Sequence, residues 1–144
     1  MRHYPVFLDL QGRPVLVVGA GKIGLRKAKG LIDAGALVTV VAPSSLPEFD
    51  DLPVRLLRRP FRPSDITGAV LVFAATDDRR VNHRIKLLAK ARGIWANIAD
   101  SAAECDFIVP ARVRRGDVHI AISTGGQSPR ISAALRQKLD DLLS

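Results

Sequence analysis

The sequence predicts an α/β fold in which a doubly wound parallel sheet is followed by a β-hairpin and a C-terminal helix. Three apolar runs, at 15–18, 37–41 and 70–75, have the continuous character of strands that are covered on both faces. Segments with helical periodicity, at about 22–34 and 79–92, separate these runs. Because strands that alternate with helices over short connections pair in parallel, the pattern favours one sheet with helices on both sides.

Length and composition indicate one domain, or one domain with a short appendage. The chain has 144 residues, of which 47% are hydrophobic and 25% charged, so a packed core is available. A single cysteine, Cys105, excludes an internal disulfide framework and a cysteine metal cluster, and it fits a reducing compartment. No apolar run reaches the ~20 residues that span a bilayer, and the first residues lack the apolar core of a signal peptide. We therefore expect a cytoplasmic protein.

The chain is strongly basic. Its positive charge predicts either an anionic partner or a charged surface that is only solvated. The formal net charge is +8, and groups of arginines lie within 55–62, 79–84 and 112–115. One Trp and one Tyr are too few for a platform on which single-stranded nucleic acid stacks. The charge suits a polyanionic small molecule, with the solvated surface as the alternative, since net charge governs association and not fold.

A glycine-rich corner, G-x-G-x-x-G at 19–24, joins the first buried strand to the first helix. In such a corner Gly19 permits a tight turn, Gly21 lets a pyrophosphate approach the backbone, and Gly24 lets the helix pack close to the strand. The helix N-terminus adds unpaired N–H groups and a partial positive charge. The placement predicts a Rossmann-like dinucleotide site; the alternative is a βα turn that binds nothing.

The end of the second strand departs from the usual NAD pattern. An NAD site has Asp or Glu about 20 residues past the first glycine, where the acid bonds the ribose. Here residues 42–45 read Ala-Pro-Ser-Ser, so hydroxyl or backbone groups are expected to hold the ribose. The missing acid removes the usual basis for choosing between NAD and NADP. Arg55 and Arg58 could be offered as a clamp for a 2′-phosphate, but they lie beyond a proline-rich loop.

Further elements are predicted along the sheet. Residues 5–10 alternate well enough to form a short strand, and 54–58 form a weak strand. Ser64 is predicted to cap a short helix. Gly93 ends the helix at 79–92 in a left-handed cap, and a fifth strand follows at 94–98.

Polar residues follow two of these strands at the edge where ligands bind in open α/β sheets. Thr76 and Asp77 come after the strand at 70–75, and we predict that they lie near the cofactor. Asp78 is predicted to cap the next helix instead. Asp100 follows the fifth strand and is either a functional carboxylate or a turn former.

The C-terminal part predicts a hairpin and an amphipathic helix. Strands at 107–113 and 118–123 flank a turn that contains glycine, and Pro110 suggests an edge position for the first of them. Ser128 and Pro129 have the pattern of an N-cap followed by proline at the first helical position. The apolar stripe of this helix consists of Ile131, Leu135, Leu139 and Leu142.

We place the domain boundary where the pattern changes, with a dinucleotide-binding Rossmann domain at 1–105 and a hairpin-plus-helix dimerisation region at 106–144. The hairpin and helix need cover for their apolar surface. In one interpretation, a partner subunit in an isologous homodimer covers this surface. In the other, the hairpin and helix fold back on the parallel sheet of their own chain.

Short motifs along nearly the whole chain carry a resemblance to a known family. Besides the glycine corner they are YPVFLDL (4–10), VVAP (40–43), AATDD (74–78), VN (81–82), NIAD (97–100), FIVP (107–110) and STGGQSP (123–129). In this order they resemble the precorrin-2 dehydrogenase and sirohydrochlorin ferrochelatase family, the N-terminal module of siroheme synthase. The later motifs are more specific than the glycines, and the Ala-Pro pair in place of the ribose acid is similar to the family's pattern.

The resemblance implies NAD-dependent oxidation of precorrin-2 to sirohydrochlorin, in some members also insertion of Fe²⁺, and an intertwined homodimer. It implies that Asp100 is the catalytic aspartate, which in a chelatase could hold the incoming metal transiently; no resident metal site is expected. The expected cofactor-binding residues are Gly19, Gly21, Lys22, Ile23, Gly24, Pro43, Ser44, Thr76 and Asp77. The loop of Thr124, Gly125 and Gly126 is expected to cradle a substrate carboxylate or to act only as a hinge.

Family members commonly continue into a further helical region, and siroheme synthase adds a methyltransferase domain. The region 106–144 is therefore expected to be truncated relative to the family, and methyltransfer is not expected of this chain. The tetrapyrrole site is expected to be incomplete or unusually open, which makes chelatase activity the least expected of the family's activities. Two alternatives come from other classes. One is a non-catalytic, NAD-sensing regulatory module, and the other is a nucleic-acid-binding protein that uses the positive charge.

Overall fold

A computed structural model describes residues 2–144, which form two compact units. The first unit is Phe7–Phe107, and the second combines the N-terminal residues up to Val6 with Ile108–Ser144. The strands and helices are β1 Pro14–Val18, α1 Lys22–Asp33, β2 Leu37–Val41, β3 Arg55–Leu57, β4 Leu71–Ala74, α2 Arg79–Ala91, β5 Trp95–Ile98, β6 Ala111–Arg115, β7 Val118–Ile122 and α3 Pro129–Leu143. Short 3₁₀ helices occupy Pro47–Asp51, Pro63–Ile66 and Ala102–Glu104.

The first unit contains a five-stranded sheet in the order β3-β2-β1-β4-β5. All four strand pairs are parallel. Because β2 and β3 extend from one side of β1 while β4 and β5 extend from the other, the strand order reverses between β1 and β4. Ligands bind at the carboxyl ends of the strands next to such a switch point.

Alternate residues of β1 enter two separate cores, one on each face of the sheet. Val15 and Val17 pack in a cluster with Ala28 and Leu31 of α1. Leu16 and Val18 pack in a second cluster, to which α2 contributes Ile85 and Ala89. Period-two alternation sends neighbouring side chains to opposite faces, so α1 and α2 cover different faces. The predicted doubly wound sheet is confirmed.

The outer edge of β5 is closed by Cys105 and Asp106, through side chains and the Asp106 N–H, and not by another strand. The backbone N–H of Ala96 donates to Asp106 Oδ2 at 2.9 Å, and the N–H of Ile98 donates to Cys105 Sγ at 3.1 Å. Unpaired N–H groups on an edge strand would otherwise offer a template for association. Cys105 therefore has a structural task in this unit.

The second unit is the predicted hairpin and helix. β6 and β7 pair antiparallel, with Arg115 opposite Val118, and Gly116 in the turn has φ +57°. The helix α3 contacts β6, and Arg115 Nη2 lies 2.5 Å from Asp140 Oδ1. No residue of α3 is buried. Ile131, Leu135 and Leu142 of the predicted stripe are exposed.

Three sequence predictions were wrong. Residues 5–10 form no strand, because the sheet ends at β3 and β5 and neither edge bonds to this segment. Ser64 is not a cap: the 3₁₀ helix begins at Pro63, and the Asp65 side chain accepts from the Arg62 N–H at 2.8 Å. The first hairpin strand begins at Ala111 and leaves out Pro110, which has no N–H to donate to a ladder.

Candidate functional site

A cleft of about 480 Å³ lies at the carboxyl ends of β1, β2 and β4. Its volume falls in the range of small-molecule and cofactor sites, roughly 300–1,000 Å³. The lining consists of 18–21, 41–46, Pro60, Phe61, 75–78 and Val81. Six of the nine predicted cofactor residues are among them: Gly19, Gly21, Pro43, Ser44, Thr76 and Asp77.

The three glycines of the corner differ in their surroundings. Gly19 has φ +111°, and a Cβ there would lie 2.2 Å from the Ala75 carbonyl oxygen. A Cβ on Gly24 would lie 2.2 Å from the Gly19 carbonyl oxygen. A Cβ on Gly21 would meet nothing within 4 Å, although this residue lines the cleft. The protein itself thus requires Gly19 and Gly24, whereas Gly21 keeps space open on the side where a ligand would lie.

The N-terminus of α1 offers N–H groups to a ligand. Gly21 is the N-cap, no side chain caps the helix, and the first turn holds no acidic residue. The first helical bond runs from the Leu25 N–H to the Gly21 carbonyl, so the N–H groups of Lys22, Ile23 and Gly24 precede it. None of these three predicted cofactor residues is in the lining of the cleft. A phosphate at this end would accept from the N–H groups and gain from the helix dipole.

The turn after β4 is held by a buried asparagine that belongs to the VN motif (81–82) but had no predicted role. Asn82 of α2 is fully buried, and its Oδ1 accepts from the Thr76 hydroxyl at 2.6 Å and from the Thr76 N–H at 3.2 Å. Its amide donates back to the Thr76 carbonyl at 3.0 Å. Asp78 caps α2 as predicted, accepting from the Arg80 N–H at 2.8 Å. The wall at 75–78 is thereby fixed to α2.

The opposite wall, after β2, carries hydroxyl groups and no acid. Ser44 is exposed and Ser45 half-buried in the cleft lining. Arg58, which follows the neighbouring strand β3, forms an ion pair with Asp50. Its charge is already matched by that carboxylate.

Asp100 lies beside the cleft but not in its lining. The Ala99 N–H donates to the Ala74 carbonyl at 2.9 Å, so Asp100 follows the paired ends of β5 and β4, next to the wall at 75–78. Its side chain is 38% exposed, and its Oδ1 lies 2.6 Å from Arg79 Nη1. The predicted catalytic carboxylate thus lies at the carboxyl edge of the sheet, just after the edge strand β5, and contacts a cation.

A second carboxylate, Glu104, completes this group. Arg79 also contacts Glu104, and His83 Nδ1 lies 2.7 Å from Glu104 Oε2. The hydrogen bond with His83 is the main reason why the pKa of Glu104 lies below its usual value, and it outweighs the opposing effect of desolvation.

The loop at 124–126 belongs to the second unit, where its polar groups bond locally. The Ser128 N–H donates to the Thr124 hydroxyl at 2.9 Å, and this hydroxyl donates to the Ser128 carbonyl at 3.2 Å. Gly125 and Gly126 both have positive φ. The loop thus forms a turn before α3, and a substrate contact for it stays a prediction.

Within residues 2–144, no group of three or more His, Cys, Asp or Glu side chains is placed to hold a metal ion. None of the helices in the same part of the chain has the length and apolar character to cross a membrane.

The fold and the cleft define the class: this is a Rossmann-type, NAD(P)-binding protein. The residues fit a dinucleotide, since the corner keeps space at Gly21 and presents uncapped N–H groups. Residues 6–111 match the family described as putative NAD(P)-binding, and residues 115–142 match the sirohaem biosynthesis protein central family.

Individual relatives agree with both matches. The chain is 44% identical to the siroheme synthase of Ectopseudomonas mendocina (strain ymp), over 97% of this chain and 31% of that protein. It is 42% identical to the siroheme synthase of Methylobacillus flagellatus, over 99% of this chain and 32% of that protein. The chain thus spans about a third of the length of these relatives. Among solved structures, SirC, precorrin-2 dehydrogenase, matches with a TM-score of 0.86 and 34% identity, over 99% of this chain and 72% of that one. The chain belongs to the precorrin-2 dehydrogenase family, as its motifs predict.

Proposed function

We propose that this chain is an NAD-dependent dehydrogenase that oxidises precorrin-2 to sirohydrochlorin in siroheme biosynthesis. One observation supports the proposal: Asp100 follows the strand next to β4, whose end forms a wall of the cleft. The fold that holds them is similar to that of SirC over 99% of this chain. We assign 1–105 as the cofactor domain and 106–144 as the dimerisation region, and we expect a cytoplasmic location.

The cofactor would lie along the carboxyl edge of the sheet. The glycine corner and the N–H groups of Lys22, Ile23 and Gly24 would hold the pyrophosphate. Pro43 and Ser44 would contact one nucleoside after β2, and Thr76 and Asp77 the other after β4. When bound, the nicotinamide ring accepts a hydride from the substrate.

We favour NAD over NADP because Arg58, which follows the residue of β3 paired with the end of β2, is already engaged. Arg58 follows β3, which pairs with β2, and Asp50 binds its guanidinium. A 2′-phosphate would have to compete with that carboxylate. Wild-type protein is expected to bind NAD more tightly than NADP, which calorimetry measures.

Asp100 is the proposed general base. Oxidation of precorrin-2 removes one hydride and one proton, and the products are sirohydrochlorin, NADH and H⁺. One C–H bond would lose its hydrogen, with the electron pair, as a hydride to the nicotinamide. The carboxylate of Asp100 would take the proton from an adjacent position, a role worth about 10²–10⁴ in rate. The electron pair of that bond would stay on the macrocycle as the new double bond. An adjacent carboxylate also stabilises the cationic character that builds up on the ring as the hydride departs.

The substrate's carboxylates would be bound by the basic chain, which carries a net charge of +8. Each charge-assisted hydrogen bond contributes roughly 1.5–3 kcal/mol. We propose that Thr124, Gly125 and Gly126 contact one of these carboxylates, and that a homodimer covers the apolar stripe of α3. Insertion of Fe²⁺, with Asp100 as a transient ligand, is the further activity that the family suggests.

The proposal is tested with Asp100→Asn, mixed with precorrin-2 and NAD⁺ while NADH formation is followed by absorbance. The variant keeps shape and hydrogen bonding but cannot accept a proton, so turnover is expected to fall at least a hundredfold while NAD affinity is unchanged. Asp33→Asn, at the exposed end of α1, is the matched control. Unchanged turnover in Asp100→Asn would exclude Asp100 as the base. Adding Fe²⁺ and sirohydrochlorin in a separate run tests metal insertion.

A further inference from the structure

A network of charged side chains surrounds Asp100 outside the nucleotide cleft. Arg79, the first residue of α2, places Nη1 2.6 Å from Asp100 Oδ1 and contacts Glu104 Oε1 with Nη2. His83 Nδ1 lies 2.7 Å from the other oxygen of Glu104. Arg79 therefore bridges two carboxylates, and His83 supports the second of them.

Two rigid elements supply this network. Arg79 and His83 are four residues apart on α2, so they share one face of the helix. Glu104 ends the 3₁₀ helix Ala102–Glu104, and its side chain is 23% exposed, less than the 38% of Asp100. The planar guanidinium of Arg79 thus links the more exposed carboxylate, Asp100, to the less exposed one, Glu104.

We propose that Arg79 is a positioning residue for the dehydrogenation: it fixes the orientation of the Asp100 carboxylate, and Glu104 and His83 fix Arg79. The inference rests on the proposed function, because it takes Asp100 as the base. Both terminal nitrogens of Arg79 already contact a carboxylate. A free, exposed aspartate samples several rotamers, whereas a base must lie within hydrogen-bond reach of the proton that it removes.

A double-mutant cycle on turnover tests the inference, using wild type, Arg79→Met, Asp100→Asn and the double variant. Arg79→Met is expected to lower kcat about 10- to 100-fold and to leave KM for NAD and for precorrin-2 within about twofold. In the Asp100→Asn background the same change is expected to alter kcat less than about twofold, because Arg79 acts only through Asp100. Arg80→Met removes the same charge from the same helix turn and is the control, expected to match wild type.

Two kinetic results would overturn the inference. A raised KM for precorrin-2 with unchanged kcat would make Arg79 a contact of the substrate's carboxylates. An equal loss of kcat in both backgrounds would show that Arg79 does not act through Asp100.

A second readout needs neither substrate nor cofactor. Urea unfolding of the same four proteins at low ionic strength is expected to show a coupling of about two- to fivefold in the unfolding equilibrium constant. Absence of coupling would contradict the inference. If wild type produced no NADH, the proposed function would fail, while this cycle would still decide whether Arg79 holds Asp100.

Discussion

The three glycines of the glycine-rich corner have different roles, which their surroundings in the structure distinguish. Gly19 and Gly24 each face a backbone carbonyl at a distance that no Cβ can occupy, whereas Gly21 faces the open cleft. The fold therefore requires glycine at 19 and 24, whereas ligand binding is expected to require it at 21. Substitutions at these positions are expected to lower stability in the first case and ligand affinity in the second.

Gly21→Ala is expected to fold normally and to bind NAD at least tenfold more weakly, because the added methyl group occupies space meant for the pyrophosphate. Gly24→Ala is expected to lose about 1–3 kcal/mol of stability, because the backbone must shift to admit the methyl group. Thermal melts and calorimetric titration measure the two effects. Equal melting losses in both variants would contradict the separation of tasks.

The sequence predicted the roles of residues that interact with neighbouring backbone. It did not predict the role of a residue that acts through a tertiary contact. The cap at Asp78 and the turn at Gly93 depend on neighbouring backbone, so their residue types indicate them. Asn82 belongs to the VN motif at 81–82 but had no predicted task, because a polar residue on a helix normally predicts exposure. Only the packed structure places it, fully buried, against Thr76.

At the scale of elements, the wall that contains Pro60 and Phe61 is held by an ion pair. Arg59 contacts Asp65 through two nitrogens, at 2.9 and 2.6 Å, and also donates to the Pro60 carbonyl. The Asp65 side chain is 6% exposed. The hydrogen bond from Arg59 is the main reason why the pKa of Asp65 lies below its usual value, against the effect of desolvation.

This shift predicts a pH dependence. The pKa of Asp65 is lower in the folded protein than in the unfolded chain, where it is near 3.9. The resulting stabilisation is complete at pH values above the unfolded-state pKa, and it is lost as the pH falls through the folded-state pKa. Asp65→Asn is therefore expected to cost about 1–3 kcal/mol at neutral pH and progressively less in acid. Urea unfolding across pH measures the difference, with Asp33→Asn as control. A cost that stays constant down to strongly acidic pH would contradict this account.

Buried strands were predictable as elements, because a short, mostly β-branched apolar run such as 15–18 favours a strand covered on both faces. The segment 5–10 has the alternation of a strand but no partner in the sheet, and pairing is not visible in a local pattern. The domain boundary, the cofactor contacts and the role of Asp100 stay predictions.

At the scale of the whole molecule, α3 keeps an apolar stripe exposed, with Leu135 42% and Leu142 77% exposed in the isolated chain. We expect a second copy of the chain to cover it. Leu135→Arg is predicted to raise the dimer dissociation constant at least tenfold, because a charge would enter an apolar interface. Sedimentation velocity measures the effect, and Arg136→Ala, a neighbouring exposed residue outside the stripe, is the control. A wild-type protein that stays monomeric at high concentration would contradict the homodimer.

The central claim is that one molecule of precorrin-2 loses one hydride to NAD⁺ in this cleft. A single-turnover experiment with excess enzyme and NAD⁺ measures it most directly, by counting the NADH formed for each precorrin-2 consumed. We predict one NADH and one sirohydrochlorin per substrate molecule. Folded protein that binds NAD⁺ yet forms no NADH would contradict the account and favour a nucleotide-sensing module.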